Sequence, residues 1–238
     1  MYSSDRPAKS EITGVIGAME QEVASLRQAL NVQRTVNRAG MEFVAGKLGE
    51  ESAVVVQCGV GKVNAGICVQ VLADEFQVTR VVNTGAAGAL DPRLHIGDLV
   101  ISTDAVQHDF DITPLGFQKG EIPYTGRFSF AADEALRQKA REAAGTLKDI
   151  AVIEGRICSG DAFIASHAQK DAIISAFGGV CCEMEGGAIA QACYLNNIPF
   201  VIIRSISDSA DEQGGMRFAE FSKLAAERGA ALVRAMLA

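Results

Sequence analysis

Short runs of apolar and β-branched residues recur along the chain, and each has the length of a buried strand. Between several of these runs, apolar positions repeat with the spacing of a helix. The strand-like runs cover 12–19, 52–60, 79–88, 97–106, 149–160, 178–186 and 199–208, and the helical stretches cover 20–30, 62–76, 131–144, 169–176, 185–196 and 218–237. This alternation of strand and helix predicts an α/β fold.

Two segments depart from the alternation. Residues 34–57 have period-two character without a helical signal, which predicts a hairpin and therefore a mixed sheet. Residues 106–130 are rich in turn-forming and aromatic residues, and we interpret them as a functional or interface loop. The chain has 238 residues and no internal linker, so we expect one domain over 11–238 after a polar N-terminal extension, 1–10.

The chain is acidic, with 22 Lys and Arg against 29 Asp and Glu and a net charge of −7. It has no basic cluster that could follow a phosphate backbone, so we expect neither nucleic acid nor an anionic membrane as a partner. The N-terminal residues lack the apolar core of a signal peptide, and the apolar runs are too short to span a bilayer. A soluble cytoplasmic protein is therefore the prediction.

Cysteine and histidine do not form the pattern of a metal site. The six cysteines lie within apolar stretches and include no C-x-x-C pair, which indicates buried reduced thiols. The three histidines lack the paired spacing of a helix-borne metal site. We predict neither a metal nor a cofactor.

Polar residues follow five of the strand runs, where α/β sheets place their ligands. These strand-end segments are GAMEQE (17–22), CGVGK (58–62), NTGAAGAL (83–90), EMEGGA (183–188) and RSISDSAD (204–211). Two are glycine-rich turns that let the backbone approach a ligand closely. Neither is a phosphate loop, because Val63 stands after Lys62 where that motif needs Ser or Thr.

Three acidic residues, Glu22, Glu185 and Asp208, stand at separate strand ends. Each has a structural explanation, because a carboxylate is favoured in the first turn of a helix or as the cap of a turn. Capping alone does not require all three at the ends of one sheet. We therefore predict a carboxylate-lined site, which could serve either binding or catalysis.

The order and spacing of seven motifs indicate a resemblance to a known protein family. They are GAMEQEV (17–23), GVGKVNA (59–65), NTGAAG (83–88), GDLV (97–100), SGDAFI (159–164), EMEGGAIA (183–190) and RSISDSAD (204–211). The chain from about Glu11 onward resembles the 5′-methylthioadenosine/S-adenosylhomocysteine nucleosidases of the purine nucleoside phosphorylase superfamily. The resemblance implies a single-domain, three-layer α/β/α sandwich around a twisted mixed sheet, usually in a homodimer whose loop 112–117 reaches the neighbouring pocket.

The same resemblance implies a division of roles in the hydrolysis of adenine nucleosides. Glu22 matches the base that activates water, Asp208 the acid that protonates N7 of adenine, and Glu185 the carboxylate that holds the ribose hydroxyls. The expected substrate contacts are Met184 under the ribose, Phe163 and Ile164 as the adenine clamp, Ala87, Gly88 and Ser207 on the base side, and Met19, Val60 and Phe218 as apolar wall. Asn83 and Arg204 are expected to support the site.

The chemistry agrees with these roles. Cleavage of an N-glycosidic bond builds positive charge on the ribose and negative charge on the leaving base. Asp208 must then be protonated, with a raised pKa, while Glu22 must be ionised. A bell-shaped pH profile is expected.

Three alternatives remain open at this stage. A phosphorylase of the same superfamily would use phosphate, but hexameric members carry an arginine where this chain has Asn83. A nucleosidase could prefer futalosine-type nucleosides, and a non-catalytic protein could bind nucleosides with the same fold. Ala86 also replaces a serine found in some members, so a hydroxyl near the ribose or water is absent.

Overall fold

The computed structural model describes residues 11–147 and 150–238, and the predicted extension 1–10 lies outside them. Strands and helices alternate as the hydrophobic pattern predicts. The elements are β1 (Ile12–Gly17), α1 (Glu20–Ala29), β2 (Asn31–Arg38), β3 (Met41–Leu48), β4 (Glu51–Gln57), α2 (Lys62–Phe76), β5 (Arg80–Ala89), β6 (Leu99–Gln107), β7 (Phe130–Ala131), α3 (Glu134–Ala144), β8 (Val152–Ser159), α4 (His167–Phe177), β9 (Cys181–Glu183), α5 (Gly186–Leu195), β10 (Phe200–Asp208) and α6 (Gly214–Met236).

All ten strands of the described chain belong to one mixed sheet. The order is β10-β6-β8-β9-β5-β1-β4-β3-β2, with β7 beside β6, and β10 also pairs with β5. The sheet therefore curls back on itself and closes a ring through β5, β9, β8, β6 and β10, while β1 to β4 extend as an open wing. The predicted twisted mixed sheet is confirmed, and the closure is a feature that the sequence pattern did not indicate.

Helices cover both faces of the sheet, as expected for a three-layer sandwich. Helices α1, α3 and α6 contribute one apolar cluster, which includes Leu26, Leu136 and Leu232. Helices α2 and α5 pack against each other and contribute the opposite cluster, which includes Leu72 and Ile189. These residues are almost fully buried, and their burial is the main favourable contribution to folding.

The open wing corrects one prediction. The segment 34–57 was expected to form a hairpin, but β2, β3 and β4 form a three-stranded antiparallel meander, and β4 then pairs in parallel with β1. Most of β2 is exposed at the edge of the sheet, with only Val36 buried. Because β2 has few buried positions, its strand character leaves a weak hydrophobic signal.

Two helix starts differ from the pattern by three residues or more. Helix α3 begins at Glu134, three residues late, because Phe130 and Ala131 pair with β6 and Asp133 caps the helix through the N–H of Leu136. Helix α6 begins at Gly214, four residues early, with its first turn beside Asp208. Apolar periodicity cannot locate these ends, since capping and strand pairing decide them.

The predicted loop 106–130 lies between β6 and β7 and is mostly irregular. Its only regular features are a 3-10 turn at Thr113–Leu115 and a bridge between Ile122 and Arg127.

All six cysteines are free and buried, and burial raises the pKa of Cys58 and Cys158 to about 12. Among the described helices, none is long and apolar enough to cross a membrane.

Candidate active site

One cavity of about 230 Å³ opens where β1, β5, β9 and β10 end or bend. Every residue that the sequence assigned to substrate or catalysis lines it. These residues are Met19, Glu22, Val60, Ala87, Gly88, Phe163, Ile164, Met184, Glu185, Ser207, Asp208 and Phe218. The remaining wall consists of Ala18, Ala86, Ala162, Cys182 and Glu183.

Sheet topology explains why segments distant in sequence meet here. Strands β1, β5 and β10 are parallel neighbours, so their carboxyl ends share one edge. Strand β9 runs antiparallel to β5, with Cys182 opposite Gly88. The residues after Cys182 therefore return along β5 toward Ala86, which brings Glu185 into the cavity.

Glu22 is buried in the first turn of α1. Its Oε2 accepts the N–H groups of Ala18 and Met19 at 2.7 and 2.9 Å, and its Oε1 accepts the N–H of Ala86 at 3.0 Å. Burial raises the pKa of Glu22, while these N–H groups and the charge of Arg204 oppose that rise. The side chain is thus both a helix cap and a fixed carboxylate in the cavity, and Ala86 contributes to it only through the backbone.

Glu185 stands at the N-terminus of α5. Its Oε1 accepts the N–H of Gly61 at 2.9 Å, and its Oε2 lies 4.0 Å from the guanidinium of Arg204. Burial and the adjacent negative charge of Glu183 raise the pKa of Glu185 to about 7. The carboxylate is positioned from both sides of the cavity, with one oxygen held by the start of α2.

Asp208 ends β10 in a polar turn. Its Oδ1 accepts the N–H of Ala210 at 2.9 Å, and the hydroxyl of Ser207 donates to its Oδ2 at 2.9 Å. Burial outweighs these hydrogen bonds and raises the pKa of Asp208. A carboxyl group with a raised pKa at a cavity wall is suited to donate a proton. Ser207, expected to touch the purine, has its hydroxyl on Asp208.

The opposite part of the wall is apolar. Phe163 and Phe218 meet edge to face with ring centroids 5.8 Å apart, which is a favourable aromatic geometry. Phe163 is 44% exposed and Val60 is 50% exposed, whereas Ile164 is buried. This side of the cavity offers flat apolar surface for a ring and stays open near Phe163 and Val60.

Arg204 behind the cavity and Glu183 in its wall organise the carboxylates. Arg204 is buried on β10, binds Glu183, and donates to Oδ1 of Asn83 at 2.6 Å. Glu183 also accepts from the hydroxyl of Ser159 and from the N–H groups of Glu185 and Gly186 at 3.1 and 2.8 Å. Although burial acts against its charge, Arg204 and these donors lower the pKa of Glu183.

Arg204, which is expected to support the site, is bound to Glu183. Glu183 lies within the motif EMEGGAIA, but the sequence does not predict its contact with Arg204. The sequence signal for Glu183 is that a second acidic residue precedes Glu185 by two positions in the same strand-end motif. The described residues contain no group of three His, Cys, Asp or Glu arranged for a metal ion.

Comparison with known proteins identifies the family. The sequence model of the Phosphorylase superfamily matches residues 12–238. The 5′-methylthioadenosine/S-adenosylhomocysteine nucleosidase of Geobacillus kaustophilus is 42% identical over 224 residues, which are 94% of this chain and 95% of that protein. This chain belongs to the 5′-methylthioadenosine/S-adenosylhomocysteine nucleosidase family.

Solved structures of this nucleosidase family share the fold. The Neisseria meningitidis nucleosidase, in complex with methylthio-immucillin-A, has a TM-score of 0.92 and 40% identity, covering 95% of this chain and 98% of that one. The futalosine hydrolase of Helicobacter pylori is also similar, with a TM-score of 0.90 and 31% identity, covering 95% of this chain and 97% of that one.

The raised pKa of Glu185 makes a testable contribution to stability. Between its ordinary pKa of 4.5 and about 7, the folded protein holds a proton that the unfolded chain has lost. Folding stability contributed by this site is therefore lost as pH rises through that window. The Glu185→Gln variant should gain stability relative to the parent protein, on the order of 1–3 kcal/mol, between about pH 5 and pH 8.

Denaturant unfolding of both proteins at the two pH values measures the difference. Glu42→Gln is a matched control, because the Glu42 side chain is 51% exposed on β3. An equal free-energy difference between parent and Glu185→Gln at both pH values would contradict the prediction.

Proposed function

We propose that this protein hydrolyses the N-glycosidic bond of 5′-methylthioadenosine and S-adenosylhomocysteine and releases adenine and the thioribose product. The observation that carries the proposal is the grouping of Glu22, Glu185 and Asp208 on one cavity whose other wall is apolar. Family membership supports the same reaction. The structure supports separate tasks for the three carboxyl groups.

Asp208 is proposed as the general acid. The leaving adenine gains negative charge as the glycosidic bond breaks, and proton donation to N7 lowers that barrier. Burial favours the protonated form of Asp208 in the free protein. The hydroxyl of Ser207 and the N–H of Ala210 fix the direction of its carboxyl group.

Glu22 is proposed as the base that takes a proton from the attacking water. Three backbone N–H groups hold its two oxygens, which favours the ionised form against the effect of burial. Glu185 is proposed to bind the ribose hydroxyls. Its negative charge then lies near the ribose, where positive charge develops in the transition state.

The apolar wall suits the rest of the substrate. Phe163 and Ile164 are proposed to contact the adenine ring, and Met184 to lie under the ribose. Met19, Val60 and Phe218 would enclose the alkylthio group. Apolar enclosure also limits the entry of bulk water, so that a water molecule activated by Glu22 would be the favoured nucleophile.

Phosphorolysis is less well supported than hydrolysis. Phosphate needs cationic or multiple N–H donors, and within the described chain neither Lys nor Arg lines the cavity. The guanidinium of Arg204 lies 4.0 Å from Glu185, but it is already bound to Glu183 and Asn83. Asn83 also donates to the carbonyl of Ile16, so it is committed to structure.

Futalosine hydrolysis and simple binding are the other candidates. The Geobacillus nucleosidase is 42% identical to this chain over 94% of its length, which supports the thionucleosides as substrates. A binding protein needs no fixed base, yet Glu22 is buried and held at both oxygens. Burying a carboxylate is energetically unfavourable, and a catalytic role explains why Glu22 is buried better than binding alone does.

Incubation with methylthioadenosine in buffers with and without phosphate tests the reaction. We expect adenine and free methylthioribose at equal rates in both, because water is the nucleophile. Chromatography with mass detection identifies the sugar product. Dependence on phosphate together with a sugar 1-phosphate would overturn the proposal, as would binding without turnover.

Glu22→Gln and Glu20→Gln are the matched variants for that assay. Glu22→Gln should reduce turnover by about 10²- to 10⁴-fold while retaining binding, since it removes the proton acceptor. Glu20 lies in the same helix turn with its side chain 59% exposed, so Glu20→Gln should retain the parent rate.

The rate should depend on pH in a bell shape. Activity falls at low pH as Glu22 and Glu185 become protonated. Burial raises the pKa of Glu22 above 4.5, and the pKa of Glu185 is about 7. Activity falls at high pH as Asp208 loses its proton, and burial moves that limb above the ordinary value of 3.8. Steady-state kcat/KM across pH measures both limbs, and a flat profile would count against these assignments.

We also propose a homodimer in which loop 112–117 reaches the pocket of the second copy. Val60, Val63 and Ile67 form an exposed apolar strip at the start of α2, with exposures of 50%, 72% and 42%. Leu115 in the loop is 74% exposed. Because Val60 also lines the cavity, a second copy on this strip would close the open part of the wall.

Val63→Glu tests the dimer, because a charge in an apolar interface is unfavourable. Sedimentation should give a dimer for the parent protein and a shift toward monomer for Val63→Glu, with at least a tenfold rise in KM. Val32→Glu is the control, since Val32 is 52% exposed on the edge strand β2. A monomeric parent protein with full activity would refute the proposed assembly.

A cytoplasmic location and a role in methionine salvage complete the proposal. Six free buried thiols suit a reducing compartment. The thioribose product retains the sulfur of the substrate, which makes it a starting point for recovering that sulfur.

A further inference from the structure

Three charged residues outside the cavity wall join in a closed ring. Lys62 Nζ donates to Asp109 Oδ1 at 2.6 Å, and the N–H of Asp161 donates to Asp109 Oδ2 at 2.8 Å. Asp161 Oδ1 in turn accepts the N–H of Lys62 at 2.8 Å. Lys62 begins α2, Asp109 follows β6 and Asp161 follows β8. The ring therefore fixes three separate segments to one another.

Both sides of the cavity attach to this ring. The residue before Lys62, Gly61, donates its N–H to Glu185 at 2.9 Å. The residues after Asp161 are Ala162, Phe163 and Ile164, which all line the cavity. The ring thus sets the separation between the carboxylate on one side and the aromatic loop on the other.

The start of α2 explains why this link is specific. The first turn of α2 contains no acidic residue, so its free N–H groups are met by carboxylates from elsewhere, Glu185 and Asp161. Gly61 has a φ of +98°, and a Cβ there would lie 3.2 Å from Asp161 Oδ1. A side chain at Gly61 would be strained and would crowd the contact.

Hydrogen bonds within the ring stabilise the charged form of Asp109. Burial acts against the charge of Asp109, but the hydrogen bonds from Lys62 and Asp161 keep its pKa below the ordinary value. The side chains of Lys62 and Asp109 are 18% and 28% exposed, so the pair is partly shielded from water. Partly buried pairs with fixed geometry contribute more than mobile surface pairs.

We propose that Lys62, Asp109 and Asp161 are positioning residues that hold the 162–164 loop at the distance from Glu185 that a nucleoside spans. The inference rests on the proposed nucleosidase function and names residues that serve the same site. None of the three lines the cavity, so they act through the loop and through Gly61. Loss of the ring should weaken binding of the purine more than it slows the chemical step.

Lys62→Met, Asp109→Asn and the double variant test this role in the full chain. We expect KM for methylthioadenosine and Kd for adenine to rise about fivefold in each, with kcat within twofold. KM and Kd of the double variant should be no higher than those of the more impaired single variant, because both substitutions remove the same link. Lys62→Arg keeps a cation and should restore binding to within twofold of the parent. Lys139→Met is the matched control, since Lys139 pairs with Glu51 at 3.0 Å on another surface.

Unchanged KM and Kd in both single variants would overturn the inference. A lowered melting temperature with a loss of kcat alone would also overturn it, because that pattern indicates a purely structural role. If the parent protein binds adenine but hydrolyses no nucleoside, the proposed reaction fails. The calorimetric Kd for adenine then still decides whether the ring positions the loop.

Discussion

One buried guanidinium group holds the charges of the site together. Arg204 is bound to Glu183 and lies 4.0 Å from Glu185, and its charge partly opposes the rise in the pKa of Glu22 that burial causes. Three carboxyl groups thus share one cation, and burial raises the pKa of Glu22 and Glu185. Removing the cation from such a cluster typically costs about 3–5 kcal/mol, because the carboxylate it leaves is buried and unpaired. Because these carboxyl groups outnumber the one buried cation, the arrangement favours a bound group that develops positive charge, as a ribose does when its N-glycosidic bond breaks.

The closed part of the sheet makes this arrangement possible. Arg204 lies opposite Gly85 on β5 and opposite Val100 on β6, so it is enclosed by strands on both sides. A Cβ at Gly85 would come within 2.9 Å of Glu22 and 3.0 Å of Arg204, and glycine is needed there for the two groups to approach. An open sheet would leave Arg204 at an edge in contact with water, where its charge would be screened.

Much of the fold and the site can be predicted from the sequence because the signals are local. The apolar runs locate most strands, and polar residues after those runs locate Glu22, Glu185 and Asp208. Strand order is not local, so the pairing of β10 with both β5 and β6 and the reversed direction of β9 could not be read from periodicity. The importance of Glu183 follows from those non-local features, since only the folded chain places it against Arg204 and Ser159. The bounds of edge strand β2 could not be predicted for a local reason, because little of the strand is buried.

The six free thiols can report local opening of the core through their reaction with a labelling reagent. Each is buried, and for Cys58 and Cys158 a pKa of about 12 leaves almost no thiolate near neutral pH. Cys182 borders the cavity, yet burial raises its pKa as well. Apart from Cys182 at the cavity, these thiols can therefore be reached by a reagent only when the surrounding core opens. The rate of labelling at each of these cysteines is then a measure of how often that part of the core unfolds, position by position, without any engineered probe.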